Sequence, residues 1–151
     1  MKGLVLLLIL IAVIAVLLIV FNTMGTPEVE VERIAVTNLK ITHMEADVGL
    51  LIQNPYPIGA NIDKITFSMY YVGQGKERYL GSGEKEAFRI NSGPTSVVIP
   101  VQVSNIGLLS ALVEAATKGA ITVKVNGTAT IDLPFTSYEI PFEETQEINI
   151  Y

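Results

Sequence analysis

From Leu4 to Phe21 the chain carries no charged or polar residue, only Leu, Val, Ile, Ala and a closing Phe. From Glu28 onward the pattern changes to alternation, one apolar position followed by one polar position, broken by short clusters of Gly, Pro, Asn and Ser. The two patterns predict two different objects. An apolar run of 18 residues, wound at 1.5 Å per residue, spans roughly 27 Å, close to the hydrocarbon thickness of a bilayer. A cleaved leader has a shorter apolar region, about 7–15 residues. The only cleavage-like pattern here is Thr23-Met24-Gly25, with small residues at both ends. The expectation is therefore an uncleaved transmembrane helix over 1–21, a Gly/Pro-bearing linker over 22–27 and a single domain over 28–151. Lys2 and the α-amino group precede the apolar run, whereas Glu28, Glu30 and Glu32 follow it. The positive-inside rule then places the N-terminus in the cytoplasm and the domain outside it, at the cell membrane.

Within the domain the alternation recurs often. Met44, Ala46, Val48, Leu50 and Ile52 share one parity; so do Ile65, Phe67, Met69 and Tyr71, then Val97, Ile99, Val101 and Val103, then Ile121, Val123 and Val125. Period two with one apolar face predicts half-buried antiparallel strands. Turn signals fall at Asn54-Pro55, Gly73-Gln74-Gly75, Gly81-Ser82-Gly83, Ser92-Gly93-Pro94 and Leu133-Pro134. Short strands at this spacing predict an all-β antiparallel sandwich of about seven strands. Asn126-Gly127 resembles a hairpin turn, yet the parity runs through it to Ala129 and Ile131. A turn would reset the parity, so one long strand from Ile121 to Asp132 is expected, with Gly127 at a bulge or a close backbone approach.

One stretch has the other period. Between Ile106 and Lys118, Leu108, Leu109, Leu112, Val113 and Ala116 form a stripe at helical spacing, Ser104 or Asn105 can cap the start, and Gly119 can end it. The expectation is one short helix whose stripe packs on an edge of the sandwich.

Composition removes several functions. With no Cys there is no disulfide, thiolate nucleophile or Cys-ligated metal. A net charge of −5 without any Lys/Arg cluster offers no footprint for a phosphate backbone, so nucleic acid is not an expected partner. His43 is the only histidine, and neither a His-based triad nor a multi-His metal site can be built from one imidazole. No phosphate loop, nucleophile elbow or zinc-protease motif occurs. No enzyme, no cofactor and no metal are expected. Glu28, Glu30 and Glu32 read as a solvated face that keeps an edge strand from pairing with neighbours. Asn126-Gly127-Thr128 fits a glycosylation acceptor, but a place inside a sheet disfavours modification.

Asn54-Pro55-Tyr56-Pro57 is the most distinctive local feature. Proline holds Asn54 in extended geometry, and the Asn amide can bond backbone two residues on. Replacing Asn54 by Ala is accordingly expected to lower stability by roughly 1–2 kcal/mol.

The order of these features resembles the group-2 late-embryogenesis-abundant family, built on the water-stress and hypersensitive-response (WHy) domain. The matching segments are Ala46 to Ile52 running into Asn54-Pro55, Ile65 to Tyr71, Leu80-Gly81-Ser82-Gly83, Thr95 to Val101, the Leu-rich helix, Val123 to Gly127 and Ile140-Pro141-Phe142. They span about residues 28–145. The resemblance marks Asn54, Pro55, Gly81, Gly83 and Gly127 as motif positions with a structural role; Tyr56 departs from it, since members often carry a second Asn there. It implies a fibronectin/immunoglobulin-like sandwich without enzymatic activity, linked to desiccation and water stress and tethered by an N-terminal helix. The leading expectation is a membrane-anchored, non-catalytic module acting on a protein or lipid partner or on the membrane itself. Two alternatives stand beside it: a carrier of lipid or another small apolar ligand in a cleft of the sandwich, and a structural or adhesion module at the cell surface. A continuous apolar cavity would favour the carrier, and a filled core the other two.

Overall fold

The computed structural model describes residues 1–39, 43–103 and 113–149. An α-helix, α1 (Lys2–Thr23), spans 22 residues and exposes its apolar side chains from Leu4 to Val20. It is long and apolar enough to cross a bilayer. Seven strands follow among the described residues: β1 (Glu28–Leu39), β2 (Met44–Asn54), β3 (Ala60–Gly73), β4 (Lys76–Ile90), β5 (Gly93–Val103), β6 (Ala120–Asp132) and β7 (Ser137–Asn149). They form two antiparallel sheets, ordered β1-β2-β5 and β4-β3-β6-β7. The fourth strand joins β3, whereas a constant-type immunoglobulin domain places its fourth strand in the other sheet. At the flanks β1 lies beside β7 and β4 beside β5.

The inner faces carry the expected parity. Met44 through Ile52 on β2, Ile65 through Tyr71 on β3, Val97 through Val103 on β5 and Ile121 through Val125 on β6 all turn their alternate apolar residues inward. Two irregularities reset the phase without a turn. An extra residue at Asp63 moves the buried set of β3 from Ala60 and Ile62 to Ile65 and Phe67, and one near Glu32 moves that of β1 from Val29 and Val31 to Ile34. β1 is an edge strand, and Glu28, Glu30 and Glu32 are all exposed on it, an arrangement that discourages pairing with another chain.

Two sequence expectations need correction. Gly81-Ser82-Gly83 is not a turn: it lies inside β4, opposite Met69, Ser68 and Phe67. Here the missing side chains serve tertiary proximity. A Cβ at Gly81 would sit 3.1 Å from the Gln102 carbonyl oxygen on the facing sheet, and one at Gly83 would sit 2.2 Å from the Phe67 ring. The second concerns the helix. Residues 113–118 are helical, and the Gly119 amide bonds the Ala115 carbonyl at 2.8 Å with Gly119 at φ +72, the glycine stop that was expected. Leu108, Leu109 and Leu112 lie outside the described residues. Val113, however, is 60% exposed and Ala116 is exposed, while Ala115 is buried. Each helical residue turns the side chain by about 100°, so a small phase error in reading the stripe exchanges the buried face for a solvated one.

The β3–β4 hairpin turns through two residues, Gln74 (φ 53) and Gly75 (φ 71), between paired Gly73 and Lys76. Both central residues have positive φ, as a type I′ turn requires, and Gln is a poor occupant of the first. Gln74→Asn should stabilise the protein by about 0.5–1 kcal/mol, read as a rise in the urea midpoint at unchanged slope.

Candidate functional site at the helix-proximal end of the sandwich

The pairing registers place the start of β1, the 55–59 loop, the two-residue corner Asn91–Ser92 and the 133–136 loop at one end, where the chain arrives from α1. Asn54, 2% exposed, is the only buried polar residue among those described. Its amide nitrogen donates to the Ile58 carbonyl at 2.8 Å and the Asn91 carbonyl at 3.3 Å, and its oxygen accepts from the Tyr56 amide at 3.1 Å. One side chain therefore closes the β2–β3 loop and ties it to the β4–β5 corner. Both segments are crossings from one sheet to the other. The Ser92 hydroxyl adds a bond to the Tyr56 carbonyl. Pro55 leaves β2 exposed to solvent, directly after this knot.

Tyr56, the departure from the motif, is buried against the core. Its hydroxyl donates to the Gly25 carbonyl at 2.9 Å and lies 3.2 Å from the Tyr138 hydroxyl; its ring meets Phe135 edge-on at 5.7 Å between centroids. Burial first, and then the Tyr138 hydrogen bond, push its pKa up to about 12. A phenol raised in the folded state favours folding while protonated, so this contribution is complete below pH 10 and fades as pH rises through about 12. At any physiological pH the hydroxyl keeps its proton and its bond to the linker. Met24 also packs against the core.

The two remaining motif glycines share one cross-strand row. Gly83, Phe67, Gly127 and Phe142 lie opposite one another on β4, β3, β6 and β7. Each ring covers a neighbouring glycine, and the two rings stand 6.4 Å apart. Gly127 is thus a close approach within one continuous strand, and no register shift falls there. Rings laid over cross-strand glycines fill the space that a second side chain would otherwise contest.

Among the described residues the two cavities best formed on the sandwich lie away from this end. One of about 400 Å³, between the β3–β4 hairpin and residues 113–118, is lined by Tyr71, Lys76, Arg78, Glu114 and Lys118 among others, with the Tyr71 hydroxyl bonded to the Glu114 carboxylate. The other, about 480 Å³, is a shallow depression on the outer face of β3, β4 and β6, lined by Thr66, Ser68, Ser82, Glu84, Asn126 and Thr128 among others. The depression is mainly polar. Among the described residues no group of three or more His, Asp or Glu side chains could hold a metal ion.

Residues 50–146 match the family described as late embryogenesis abundant protein. The chain belongs to the late embryogenesis abundant type 2 family. The matched stretch contains Asn54, Pro55, Gly81, Gly83 and Gly127 and leaves out α1 and β1. An uncharacterised protein of Methanocaldococcus jannaschii is 38% identical over 127 residues, 80% of this chain and 72% of that protein. The solution structure of an Arabidopsis thaliana protein superposes with a TM-score of 0.67 at 23% identity, covering 82% of this chain and 81% of that one. A putative late embryogenesis abundant protein, also solved in solution, gives 0.55 at 18% identity, covering 86% and 74%. At these identities the structures speak for the fold, and they agree that the family's β-sandwich is the fold found here.

Sequence reasoning missed Tyr138, Phe135 and Met24, and it noticed Tyr56 only as a departure from the motif. Nothing local marks their contacts, because the Tyr56 hydroxyl reaches partners 31 and 82 residues away.

Proposed function

We propose that this protein is a water-stress-protective module of the late embryogenesis abundant type 2 family, held at the cell membrane by α1 and acting by contact rather than by catalysis. The observation that carries the anchored reading is the linker. Met24 packs against the core and the Gly25 carbonyl accepts the Tyr56 hydroxyl. Cleavage after Gly25 would remove both contacts, so the segment serves the folded domain and not only export. Lys2 ahead of the helix favours a cytoplasmic N-terminus and an extracytoplasmic domain. The acidic, cysteine-free composition and the single histidine support a surface that binds without transforming. The fully buried Leu50, Ile62, Met69 and Val125 and the mainly polar depression on the outer face of β3, β4 and β6 weigh against the apolar-ligand carrier.

The test uses the full chain in phosphatidylcholine vesicles loaded with a self-quenched dye. The protein should resist carbonate extraction, retain its own N-terminus, and reduce dye leakage after drying and rehydration relative to empty vesicles. Release by carbonate would remove the anchor; leakage equal to that of empty vesicles would remove the protective role.

A further inference from the structure

The end of the sandwich that receives α1 differs from the rest of the domain in its chemistry. The linker Met24-Gly25-Thr26-Pro27, the loop Pro55-Tyr56-Pro57-Ile58-Gly59, the corner Asn91-Ser92 and the loop Leu133-Pro134-Phe135-Thr136 contain no charged residue. Elsewhere charge is plentiful, in a chain with 10 basic and 15 acidic residues. Two large apolar side chains project from this uncharged end. Ile58 is 37% exposed and Phe135 is 51% exposed, each beside exposed prolines, Pro57 and Pro134. They are held in place: Asn54 closes the first loop through the Ile58 carbonyl, and Phe135 stands edge-on against buried Tyr56.

We infer that this lip, with Phe135 and Ile58 at its tip, sits in the headgroup layer of the bilayer that α1 crosses, so that the domain stands on the membrane rather than swinging from it. The inference rests on the anchored reading of α1. It follows from length and bonding together. Only four residues separate Thr23 from Glu28, a reach of at most about 14 Å. That short tether is shortened further by the Tyr56–Gly25 hydrogen bond and by the burial of Pro27. The headgroup layer is itself some 5–7 Å deep on each side, so loops level with the linker meet it. Uncharged loops bearing Phe, Ile and Pro suit that depth, because aromatic and aliphatic side chains gain by leaving water there while no charge has to be desolvated. The nearest charges, Arg89 and Asp132, line a cavity of about 150 Å³ with Gly59 and Pro134 and so stand at the rim and not in the loops. The occupant is therefore lipid, supplied by the protein's own membrane.

The chain has no tryptophan, so single tryptophans report depth directly. Phe135→Trp, Ile58→Trp, Tyr79→Trp and Leu10→Trp are each placed in the full-length protein in phosphatidylcholine vesicles, without and with lipids spin-labelled at shallow or deep positions. Tyr79 lies roughly 35 Å along β4 from Ile90 at the lip and is the solvent control. Expected are a blue-shifted emission and loss of intensity with the shallow label for Phe135→Trp and Ile58→Trp, quenching by the deep label for Leu10→Trp, and neither effect for Tyr79→Trp. If Leu10→Trp is quenched while both lip probes emit as Tyr79→Trp does, the proposal fails and the anchor stands. A blue shift at the lip without lipid quenching means that protein covers it, which also overturns the proposal. If Leu10→Trp escapes the deep label, the anchor fails and takes the proposal with it. Two lip positions guard against one variant disturbing the fold.

Discussion

Gly127→Ala should lower the stability of the domain by about 3 kcal/mol or more, a fall in Tm of roughly 10 °C, followed by far-ultraviolet circular dichroism of the full chain. Alanine is the smallest possible insertion, and β6 is a good strand, so local preference does not explain such a loss. The reason is the row in which Gly127 sits. A Cβ there would lie 2.3 Å from the Thr66 carbonyl oxygen, 2.4 Å from Phe67 Cβ and 2.7 Å from the Phe142 ring. Two of these three neighbours belong to the backbone of β3 or are attached directly to it, so no side-chain rotation relieves the clash. Relief requires the β3–β6 ladder to part or both rings to leave the core. Gly83→Ala is the informative comparison, because the three atoms nearest its Cβ all belong to the Phe67 ring, which a small rotation could in part accommodate. Its loss should be the smaller of the two. Equal stability of Gly127→Ala and the parent would refute the packing of the row.

Asn54→Ala should cost about 2–4 kcal/mol, more than the one bond foreseen from the Asn-Pro step would imply. Three bonds are lost: the Tyr56 amide is left without its acceptor at a buried position, and the part-buried Ile58 and Asn91 carbonyls each lose a donor. Asn54→Asp retains the acceptor for the Tyr56 amide but turns a carboxylate toward two carbonyl oxygens, so it should rescue little. Thermal unfolding of the three proteins decides this. A loss under about 0.5 kcal/mol, the range of ordinary surface substitutions, would mean that the two crossings hold without their shared side chain.

What the sequence made legible is what period two can encode. The inward residues of β2, β3, β5 and β6 were read correctly because each strand has one wet face and one dry face. The unbroken strand through Gly127 was read correctly because parity outweighs a turn-like dipeptide. Glycine was misread where its reason was distant. Gly81 and Gly83 look like a turn, but the atoms that exclude a side chain there belong to Gln102 and Phe67, which only the folded sheets bring near. The phase shifts at Asp63 and near Glu32 were invisible for a similar reason, since a bulge leaves both flanking stretches alternating. At the helix-proximal end, Asn54 was singled out by the proline after it. Tyr138 and Phe135 were not, and Tyr56 drew notice only as a departure from the motif, because their contacts are created by the strand order and not by neighbours in the chain.

The course of β1 bears on how the molecule carries force. β1 leaves the linker at Glu28 and runs antiparallel to β2, with Glu28 opposite Gln53 and Leu39 opposite Met44. A force applied between α1 and the far end of the sandwich would pull β1 lengthwise. The ladder is then loaded in shear, with its hydrogen bonds strained together, instead of being unzipped one bond at a time from its end. Mechanical lifetime is set by the unfolding barrier and not by equilibrium stability, and a sheared ladder raises that barrier along the direction of such a pull.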